Sequence, residues 1–280
     1  MPAAPSYGRG DAMAEQRRVA IVTGAARGIG ARTAVRLAER GWSVGLVDGC
    51  QDDPALAYPM AREEELHMVA EEVERLGADA LPIVTDVRDP GAIRAAVASV
   101  AERLGGLDAA VAGAGAIAGG EPAWATGEAL WRAMFDVNLA GVRHLAEAAI
   151  PLLLAAPEPR WGRFVAIGSA AGALGLRGLA PYGAAKHAVI GYIRGLAADL
   201  GDSGVTANVV SPGSTRTAML EASARLYDLP DVRELAVHQV LGRLLEPEEP
   251  AAAAAWLCSA EAGGITGSVV AVDGGMTSVR

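Results

Sequence analysis

The chain has 280 residues, a formal net charge of −9 and a sequence pI near 5.0, which argues against a nucleic-acid partner because phosphate binding needs a basic surface. Hydrophobic residues make up 51% of the chain but aromatic residues only 4%, so the core is built from small aliphatic side chains. No stretch contains the ~18 uninterrupted apolar residues of a membrane span. Cys50 and Cys258 are too far apart to indicate a disulfide framework or a metal site. We therefore expect a cytoplasmic protein with no membrane partner and no metal.

Residues 1–16 contain no apolar segment typical of a secretory signal and are predicted to be a disordered tail. From residue 17 onward, short β-branched segments alternate with helix-length segments rich in Ala, Leu and Arg. The predicted strands are Val19 to Thr23, Ser43 to Asp48, Ala80 to Thr85, Leu107 to Ala112, Arg163 to Gly168, Val205 to Val210 and Ser268 to Val272. The predicted helices are 28–40, 61–76, 89–104, 126–155, 179–201, 216–239 with a break near Pro230, and 247–259.

This alternation predicts an α/β fold, with one doubly wound parallel sheet of about seven strands and helices on both faces. No linker interrupts it, so residues 17–280 are expected to form a single domain. Segment 49–60 has no helical or strand period and is interpreted as an insertion after the second strand, and segment 214–245 as a substrate lid after the sixth. Both segments begin at carboxyl ends of strands, where open α/β sheets bind ligands.

A glycine-rich turn, TGAARGIG, follows the first strand at 23–30. Gly24, Gly28 and Gly30 would let backbone N–H groups approach a pyrophosphate at the start of a helix, although such a pattern also fits an ordinary strand-to-helix turn. Asp48 ends the second strand about 18 residues after Gly30, close to the offset at which an acidic side chain binds the adenosine ribose. A carboxylate there would repel a 2′-phosphate, so the sequence favours NAD over NADP.

Two residues near this turn leave alternatives open. Arg27 could bind a 2′-phosphate, which would favour NADP, or could be a solvated surface cation. Asp86, at the end of the third strand, could approach the adenine or cap a turn.

Lys186 is the only lysine in the chain, and every other basic residue apart from histidine is Arg. Arg cannot replace Lys where one compact charge must reach one point. Tyr182 lies four residues earlier, on the same helix face. The ammonium is therefore expected to lower the pKa of the phenol and make it a proton donor and acceptor nearer neutrality. On its own, this spacing could also be coincidence.

Two polar residues lie at positions that suit the same chemistry. Ser169 ends the fifth strand, where a hydroxyl can hold an oxygen on which negative charge develops; a serine before Ala-Ala-Gly is also a common turn former. Asn138 lies inside a predicted helix, an unfavourable place for Asn unless its side chain has a function. The alternative is a purely local hydrogen bond.

These features occur in the order found in short-chain dehydrogenases/reductases, a family that the chain resembles from about residue 18 to 275. The motifs are TGAARGIG, Asp48, VAGAG at 111–115, VNLAG at 137–141, GSAAG at 168–172, Tyr182 with Lys186, and SPGSTRTAM at 211–219. The resemblance implies a single Rossmann-type domain, a nicotinamide cofactor, and hydride transfer between an alcohol and a ketone or aldehyde.

The resemblance also implies residue roles. Tyr182 would be the acid/base, Lys186 would bind the nicotinamide ribose and tune Tyr182, Ser169 would hydrogen-bond the substrate oxygen, and Asn138 would support a water that connects Lys186 to solvent. The implied cofactor-binding residues are Gly24, Arg27, Gly28, Ile29, Gly30, Asp48, Asp86, Val87, Gly113, Ala114, Gly115, Tyr182, Lys186, Pro212, Gly213, Thr215 and Thr217.

The chain departs from the family pattern at 113–115, where most relatives carry Asn-Ala-Gly and this chain has Gly-Ala-Gly. A side-chain hydrogen bond that steadies the fourth strand is expected to be lost there. The 49–60 insertion, GRLLEPEE at 242–249 and AAAAWLCSAEAGGITGSVV near the C-terminus resemble the mycofactocin-associated subgroup. That resemblance implies tightly held NAD that does not exchange and electron transfer to a separate redox peptide. It also implies that the insertion covers the adenosine half of the cofactor. The alternative for the insertion is a plain surface loop.

The leading hypothesis is therefore an NAD-dependent oxidoreductase that interconverts an alcohol and a carbonyl compound. A NADPH-dependent 3-oxoacyl thioester reductase is permitted by Arg27 and disfavoured by Asp48. A catalytically silent dinucleotide-sensing module would leave the Ser, Tyr and Lys set unused. Gly191 and Gly195 on helix 179–201 would permit close packing against another helix or another subunit, and family resemblance implies a homotetramer. The apolar residues of segment 214–245 favour a moderately apolar substrate.

Overall fold

In the computed structural model, which describes residues 17–158 and 160–278, seven strands form one parallel sheet in the order β3-β2-β1-β4-β5-β6-β7. The tail predicted at 1–16 lies outside the described residues. The strands are β1 (Val19–Thr23), β2 (Ser43–Asp48), β3 (Ala80–Val84), β4 (Ala109–Ala112), β5 (Gly162–Ile167), β6 (Val205–Pro212) and β7 (Val269–Val272). The predicted doubly wound α/β sheet is confirmed.

The helices cover both faces of this sheet. They are α1 (Gly28–Ala38), α2 (Glu63–Arg75), α3 (Pro90–Leu104), α4 (Glu128–Phe135), α5 (Gly141–Ala155), α6 (Ala180–Leu200), α7 (Ala218–Leu226) and α8 (Glu248–Leu257). Buried residues of α1, α2 and α8 pack in one aliphatic core, and those of α3, α5 and α6 pack in a second core on the opposite face. Alternation of short strands with Ala- and Leu-rich helices produces these two layers because both faces of a parallel sheet must be covered.

The sheet order places the ligand crevice between β1 and β4. The chain runs outward from β1 to β3 and then returns to pair β4 with β1, with Val22 beside both Leu46 and Val111. At such a reversal the loops at the carboxyl ends of the two strands diverge and leave a cleft. The glycine turn after β1 and the Gly-Ala-Gly segment after β4 therefore face each other across it.

Two predicted helices are divided in the structure. The helix predicted at 126–155 consists of α4, a π-helical turn at Asp136–Ala140, and α5, and such wide turns are frequent at functional sites. The helix predicted at 216–239 consists of α7 and a 3₁₀ helix at Val232–His238. The chain leaves α7 through Asp228, whose φ of 52° is incompatible with a continuing right-handed helix.

The continuous helical segment Glu128–Ala155 is long and apolar enough, by length and composition, to cross a membrane. The buried apolar side chains of this segment instead pack against the rest of the protein. Val142, Leu145 and Leu153 are at most 2% exposed and belong to the core on the α3 side of the sheet. The segment therefore packs as a core helix of the α/β fold.

Candidate active site

Close backbone packing joins the ends of β1 and β4. A Cβ atom on Gly30 would lie 2.0 Å from the Gly24 carbonyl oxygen, and one on Gly113 would lie 2.6 Å from the Thr23 carbonyl oxygen. An Asn therefore cannot replace Gly113 here without moving the backbone. The Thr23 hydroxyl accepts hydrogen bonds from the backbone N–H groups of Gly113 and Ala114, at 3.2 and 3.3 Å. The Thr23 hydroxyl thus stabilises the end of β4 and replaces the side-chain hydrogen bond that the absence of Asn at position 113 was expected to remove.

The carboxylate of Asp48 lies at the end of β2, beside the glycine turn. It accepts hydrogen bonds from the backbone N–H groups of Ala26 at 3.1 Å and Cys50 at 3.2 Å. A carboxylate has about four acceptor positions, so these bonds orient the group and leave further positions for a ribose. Arg27 donates a 2.8 Å hydrogen bond to the Pro59 carbonyl, so it ties the turn to the 49–60 insertion instead of being a free surface cation.

Asp86, two residues beyond the end of β3, both caps a turn and forms an ion pair. Its carboxylate accepts hydrogen bonds from the Arg88 backbone at 2.9 Å and from the Arg88 guanidinium at 2.8 and 2.6 Å. The same guanidinium contacts Asp53 of the insertion at 2.5 Å. The turn-capping alternative for Asp86 is thus observed, while its approach to an adenine stays a prediction.

Ser169 and Tyr182 converge from the end of β5 and the start of α6. The Ser169 hydroxyl accepts a 3.1 Å hydrogen bond from the Ala171 N–H, which is the turn-forming role, and it lies near enough to Tyr182 to lower the pKa of that phenol. The pKa of Tyr182 is raised to about 12, because burial and the nearby Tyr58 phenol, which both raise it, outweigh the lowering by Ser169. Tyr182 therefore holds its proton strongly, and a hydroxyl lies directly beside it.

Lys186 is buried one helical turn further along α6, only 3% exposed. Its ammonium donates a 2.9 Å hydrogen bond to the Ile167 carbonyl and lies 5.9 Å from the centroid of the Tyr182 ring. Burial lowers the pKa of Lys186 to about 8. Burial is the largest effect on the Tyr182 pKa, and the ammonium bonds a carbonyl, so the lowering of that pKa by Lys186 stays a prediction.

Asn138 is fully buried within the π-helical turn between α4 and α5. Its amide group donates to the Ala116 carbonyl at 3.0 Å and to the Met134 carbonyl at 2.9 Å, and accepts from the Ala116 N–H at 3.2 Å. It therefore fixes the loop after β4, while part of its bonding is local. Its carbonyl and the Lys186 ammonium both lie against Gly115, and the water link between them stays a prediction.

The loop after β6 forms the opposite wall of the cleft. The Gly213 N–H donates to the Val272 carbonyl at 3.0 Å, and a Cβ on Gly213 would lie 2.6 Å from the Gln239 side chain. The hydroxyls of Thr215 and Thr217 donate to backbone carbonyls of the same loop, and the Thr217 hydroxyl also caps α7. Both threonines line the cleft and shape it through these local bonds.

One cavity of about 850 Å³ contains Ser169 and every residue that the sequence predicted to bind cofactor. Asn138 lies behind its wall. Close glycine backbone at β1, an oriented carboxylate at the end of β2 and this volume fit an extended dinucleotide together with a small substrate.

Sequence reasoning did not single out several residues of this cavity, although four of them lie within the predicted insertion or the predicted lid. They are Leu56, Tyr58, Ile117, Leu174, Leu176, Arg177, Leu235, His238 and Met276. The most informative of them is Tyr58. An aromatic residue within the polar, proline-containing insertion could have signalled a segment that packs inward.

The fold and this arrangement of Ser, Tyr and Lys beside a dinucleotide cleft define a Rossmann-type oxidoreductase. A family model described as enoyl-(acyl carrier protein) reductase matches residues 24–277. The chain is 36% identical over 271 residues to (−)-trans-carveol dehydrogenase of Rhodococcus erythropolis, covering 93% of this chain and 97% of that protein. It is 38% identical over 274 residues to cis-4-hydroxycyclohexanecarboxylate dehydrogenase of Sinomonas cyclohexanicum, covering 96% and 100%.

A solved structure is similarly close. Carveol dehydrogenase from Mycobacterium avium, crystallised in complex with NAD, superposes with a TM-score of 0.88 at 34% identity, covering 92% of this chain and 97% of that one. The chain belongs to the short-chain dehydrogenase/reductase family, which confirms the resemblance deduced from its motifs.

Proposed function

We propose that this protein is an NAD-dependent oxidoreductase that interconverts an alcohol and a ketone or aldehyde, with Tyr182 as the acid/base. The observation that carries the proposal is the convergence of Ser169, Tyr182 and Lys186 on the same cavity as the glycine turn. A purely dinucleotide-sensing module would have no use for the hydroxyl, phenol and ammonium at this position.

NAD is the cofactor that fits the cleft. The Asp48 carboxylate, oriented by the N–H groups of Ala26 and Cys50, accepts from ribose hydroxyls and repels a 2′-phosphate. Arg27, the residue that could have favoured NADP, has its guanidinium bonded to the Pro59 carbonyl. The related carveol dehydrogenase from Mycobacterium avium was crystallised with NAD.

Bound NAD supplies a hydride acceptor at the nicotinamide ring. During alcohol oxidation Tyr182 takes the proton of the substrate hydroxyl, and it returns that proton during carbonyl reduction. Ser169 donates a hydrogen bond to the same oxygen and stabilises the charge that develops on it. Lys186 holds the ribose and places positive charge near the phenol, and this charge opposes the effect of burial on the Tyr182 pKa.

The substrate compartment favours a cyclic secondary alcohol. Its wall contains the leucine side chains of positions 174, 176, 220, 229 and 235, and the two relatives act, by name, on carveol and on a hydroxycyclohexanecarboxylate. Segment 214–245, which contributes Leu220, Leu229 and Leu235 to this wall, acts as the lid. Burial of an apolar ring against these side chains supplies binding energy without a charged partner.

We further propose that NAD is retained between turnovers and reoxidised by a mycofactocin-type redox partner. Support comes from the insertion, which is bonded to the glycine turn through Arg27 and Pro59 and to the β3 loop through Arg88 and Asp53. Release of the cofactor would require these contacts to open. The protein would act in the cytoplasm as a homotetramer, with Gly191 and Gly195 on α6 leaving open space for a neighbouring subunit.

The test is to denature the purified protein and identify any released nucleotide by mass spectrometry, alongside assays of cyclic alcohols with added NAD and with an artificial electron acceptor. Stoichiometric NAD with turnover that needs the acceptor supports retained cofactor. Turnover that needs only added NAD supports the oxidoreductase but removes the mycofactocin proposal. Absence of turnover in both assays, with Tyr182→Phe indistinguishable from the natural chain, contradicts the function.

A further inference from the structure

The 49–60 insertion reaches the catalytic end of the cavity, further than the adenosine half that it was expected to cover. The Tyr58 hydroxyl accepts a 3.1 Å hydrogen bond from the backbone N–H of Ile117, in the loop after β4. Arg27 and Arg88 fasten the same insertion near its Pro59 and Asp53 positions. The insertion is therefore attached to the loops of three different strands and crosses the cleft between them.

Tyr58 is the most buried residue of the insertion. It is 7% exposed, whereas its neighbours Ala57 and Pro59 are exposed. Ala55, Leu56 and Met60 are partly buried against the same apolar cluster, and the large aromatic ring of Tyr58 adds a substantial apolar area to this packing. The ring therefore anchors the insertion in the interior of the cavity wall.

The neighbours of Tyr58 are residues of the active site. It packs in one apolar cluster with Tyr182, Ile117 and Ala171, and Leu176 and Met219 lie against the same cluster. Tyr58 and Tyr182 both line the cavity, and the Tyr58 phenol raises the pKa of Tyr182. Tyr58 is thus close enough to Tyr182 to limit the space in which a substrate ring can lie.

The Tyr58 hydroxyl also acts on the loop that Asn138 holds. Asn138 bonds both backbone groups of Ala116, and Tyr58 bonds the N–H of the next residue, Ile117. Two adjacent residues of this loop are therefore held by different elements: Ala116 by the π-helical turn and Ile117 by the insertion. Removal of the Tyr58 hydroxyl would leave a buried N–H without its acceptor, which is costly.

We propose that Tyr58 is a specificity-determining and positioning residue: its ring bounds the substrate compartment beside Tyr182, and its hydroxyl fixes the loop after β4. The proposal rests on the proposed function, since it concerns the alcohol that Tyr182 deprotonates. It assigns to the insertion a part in substrate selection that is separate from cofactor retention.

The experiment compares Tyr58→Ala, Tyr58→Phe and Tyr58→Leu with the natural chain, using cyclohexanol and the fused-ring decalol as substrates. Tyr58→Ala removes the ring and is expected to shift the kcat/KM ratio toward decalol by about 10-fold or more. Tyr58→Phe keeps the ring, so the ratio stays within about twofold while kcat falls about threefold to tenfold through loss of the hydrogen bond. Tyr58→Leu is expected to give a kcat/KM ratio between those of Tyr58→Ala and Tyr58→Phe. It replaces Tyr58→Ala in the comparison if Tyr58→Ala does not fold.

Binding of tertiary alcohols provides a second readout that needs no turnover. Tertiary analogues of cyclohexanol and decalol have no carbinol hydrogen and cannot be oxidised, so calorimetry reports their affinities alone. Tyr58→Ala is expected to improve the relative affinity for the larger analogue. Asp52→Asn is the matched control, because Asp52 lies in the same insertion, bonds Arg62 and Met60 on its exposed side, and should leave both ratios unchanged.

An equal loss for both alcohols in Tyr58→Ala, together with an unchanged ratio of tertiary-alcohol affinities, would overturn the proposal. The same holds if Asp52→Asn shifts the ratios as much as Tyr58→Ala. If the natural chain oxidises neither alcohol, with added NAD or with the artificial acceptor, the proposed oxidation of cyclic alcohols fails, and the tertiary-alcohol affinities still decide whether Tyr58 bounds the compartment.

Discussion

The Lys186 ammonium donates a 2.9 Å hydrogen bond to the Ile167 carbonyl at the carboxyl end of β5. Within residues 17–158 and 160–278, no carboxylate lies within 4.0 Å of this ammonium. Burial without a counter-ion explains why the pKa of Lys186 is lowered to about 8. An ammonium has three N–H donors, so the carbonyl orients the group while two donors can address a ribose and a phenol.

Lys186→Arg is expected to lower kcat/KM by about 10² or more, even though the charge is kept. A planar guanidinium cannot occupy the compact position of a buried ammonium. Steady-state kinetics at saturating NAD measures the effect, with Arg194→Lys as the matched control, because Arg194 lies exposed on the same helix. Full activity of Lys186→Arg would show that a compact ammonium is not required.

Tyr182→Phe is expected to lower kcat by about 10² to 10⁴, the usual contribution of a positioned acid/base. The phenyl ring keeps its packing against the cavity, so NAD affinity should change by less than about twofold. Calorimetry and turnover on the same preparation separate the two effects. Tyr192→Phe, on α6 but outside the cavity lining, should be indistinguishable from the natural chain, and a comparable loss there would point to a folding defect.

The fold and the position of the cleft could be predicted because each depends on local chemistry. The observed bounds of β1 and β2 equal the predicted ones, since short β-branched strands end at Gly and Asp signals. The same signals locate ligand residues at strand ends, and they placed Asp48 and Ser169 on the cavity. Residues whose function follows from their position at the end of a strand can therefore be predicted from the sequence.

The features that could not be predicted from the sequence depend on which side chains the tertiary fold buries. The opposite pKa directions of Tyr182 and Lys186 arise because both side chains are almost fully buried, which a helical spacing cannot reveal. Gly113 in place of Asn looked like a lost bond, because the approach of the Thr23 carbonyl was not visible in the sequence. Tyr58 belongs to an insertion whose path across the cleft is set by contacts distant in sequence.

Burial of Lys186 gives the nucleotide-free protein a distinctive dependence of stability on pH. Its folded pKa of about 8 lies below the value of about 10.4 expected in the unfolded chain. Between these values the unfolded state binds more protons, so this group makes stability rise with pH. Urea unfolding of the natural chain and of Lys186→Met measures this effect. The unfolding midpoint of the natural chain, relative to that of Lys186→Met, should increase from pH 7.5 to 9.5. A difference between the two midpoints that does not change with pH would contradict a lowered pKa for Lys186.

Asp48→Asn is expected to raise the ratio of NADP to NAD affinity by about 10-fold or more, because like charges placed together at a binding site cost several kcal/mol. The Asn carbonyl can still accept one of the two N–H bonds from Ala26 and Cys50, which limits damage to the turn. Calorimetric titration of nucleotide-free protein with both cofactors measures the ratio. An unchanged ratio would mean that discrimination against the 2′-phosphate comes from elsewhere in the cleft.

Asp53→Asn should speed the release of NAD, because it weakens the contact between the insertion and Arg88. The Asn side chain can keep the 2.8 Å hydrogen bond that Asp53 accepts from the Ala55 N–H, so the loop is not unfolded locally. Loss of an ion pair at a partly buried position corresponds to about 1 kcal/mol, hence a roughly fivefold faster dissociation rate. Stopped-flow displacement of NAD measures that rate, with Asp52→Asn as the control within the insertion. If Asp53→Asn releases NAD no faster than Asp52→Asn, the Asp53–Arg88 contact does not hold the insertion over the cofactor.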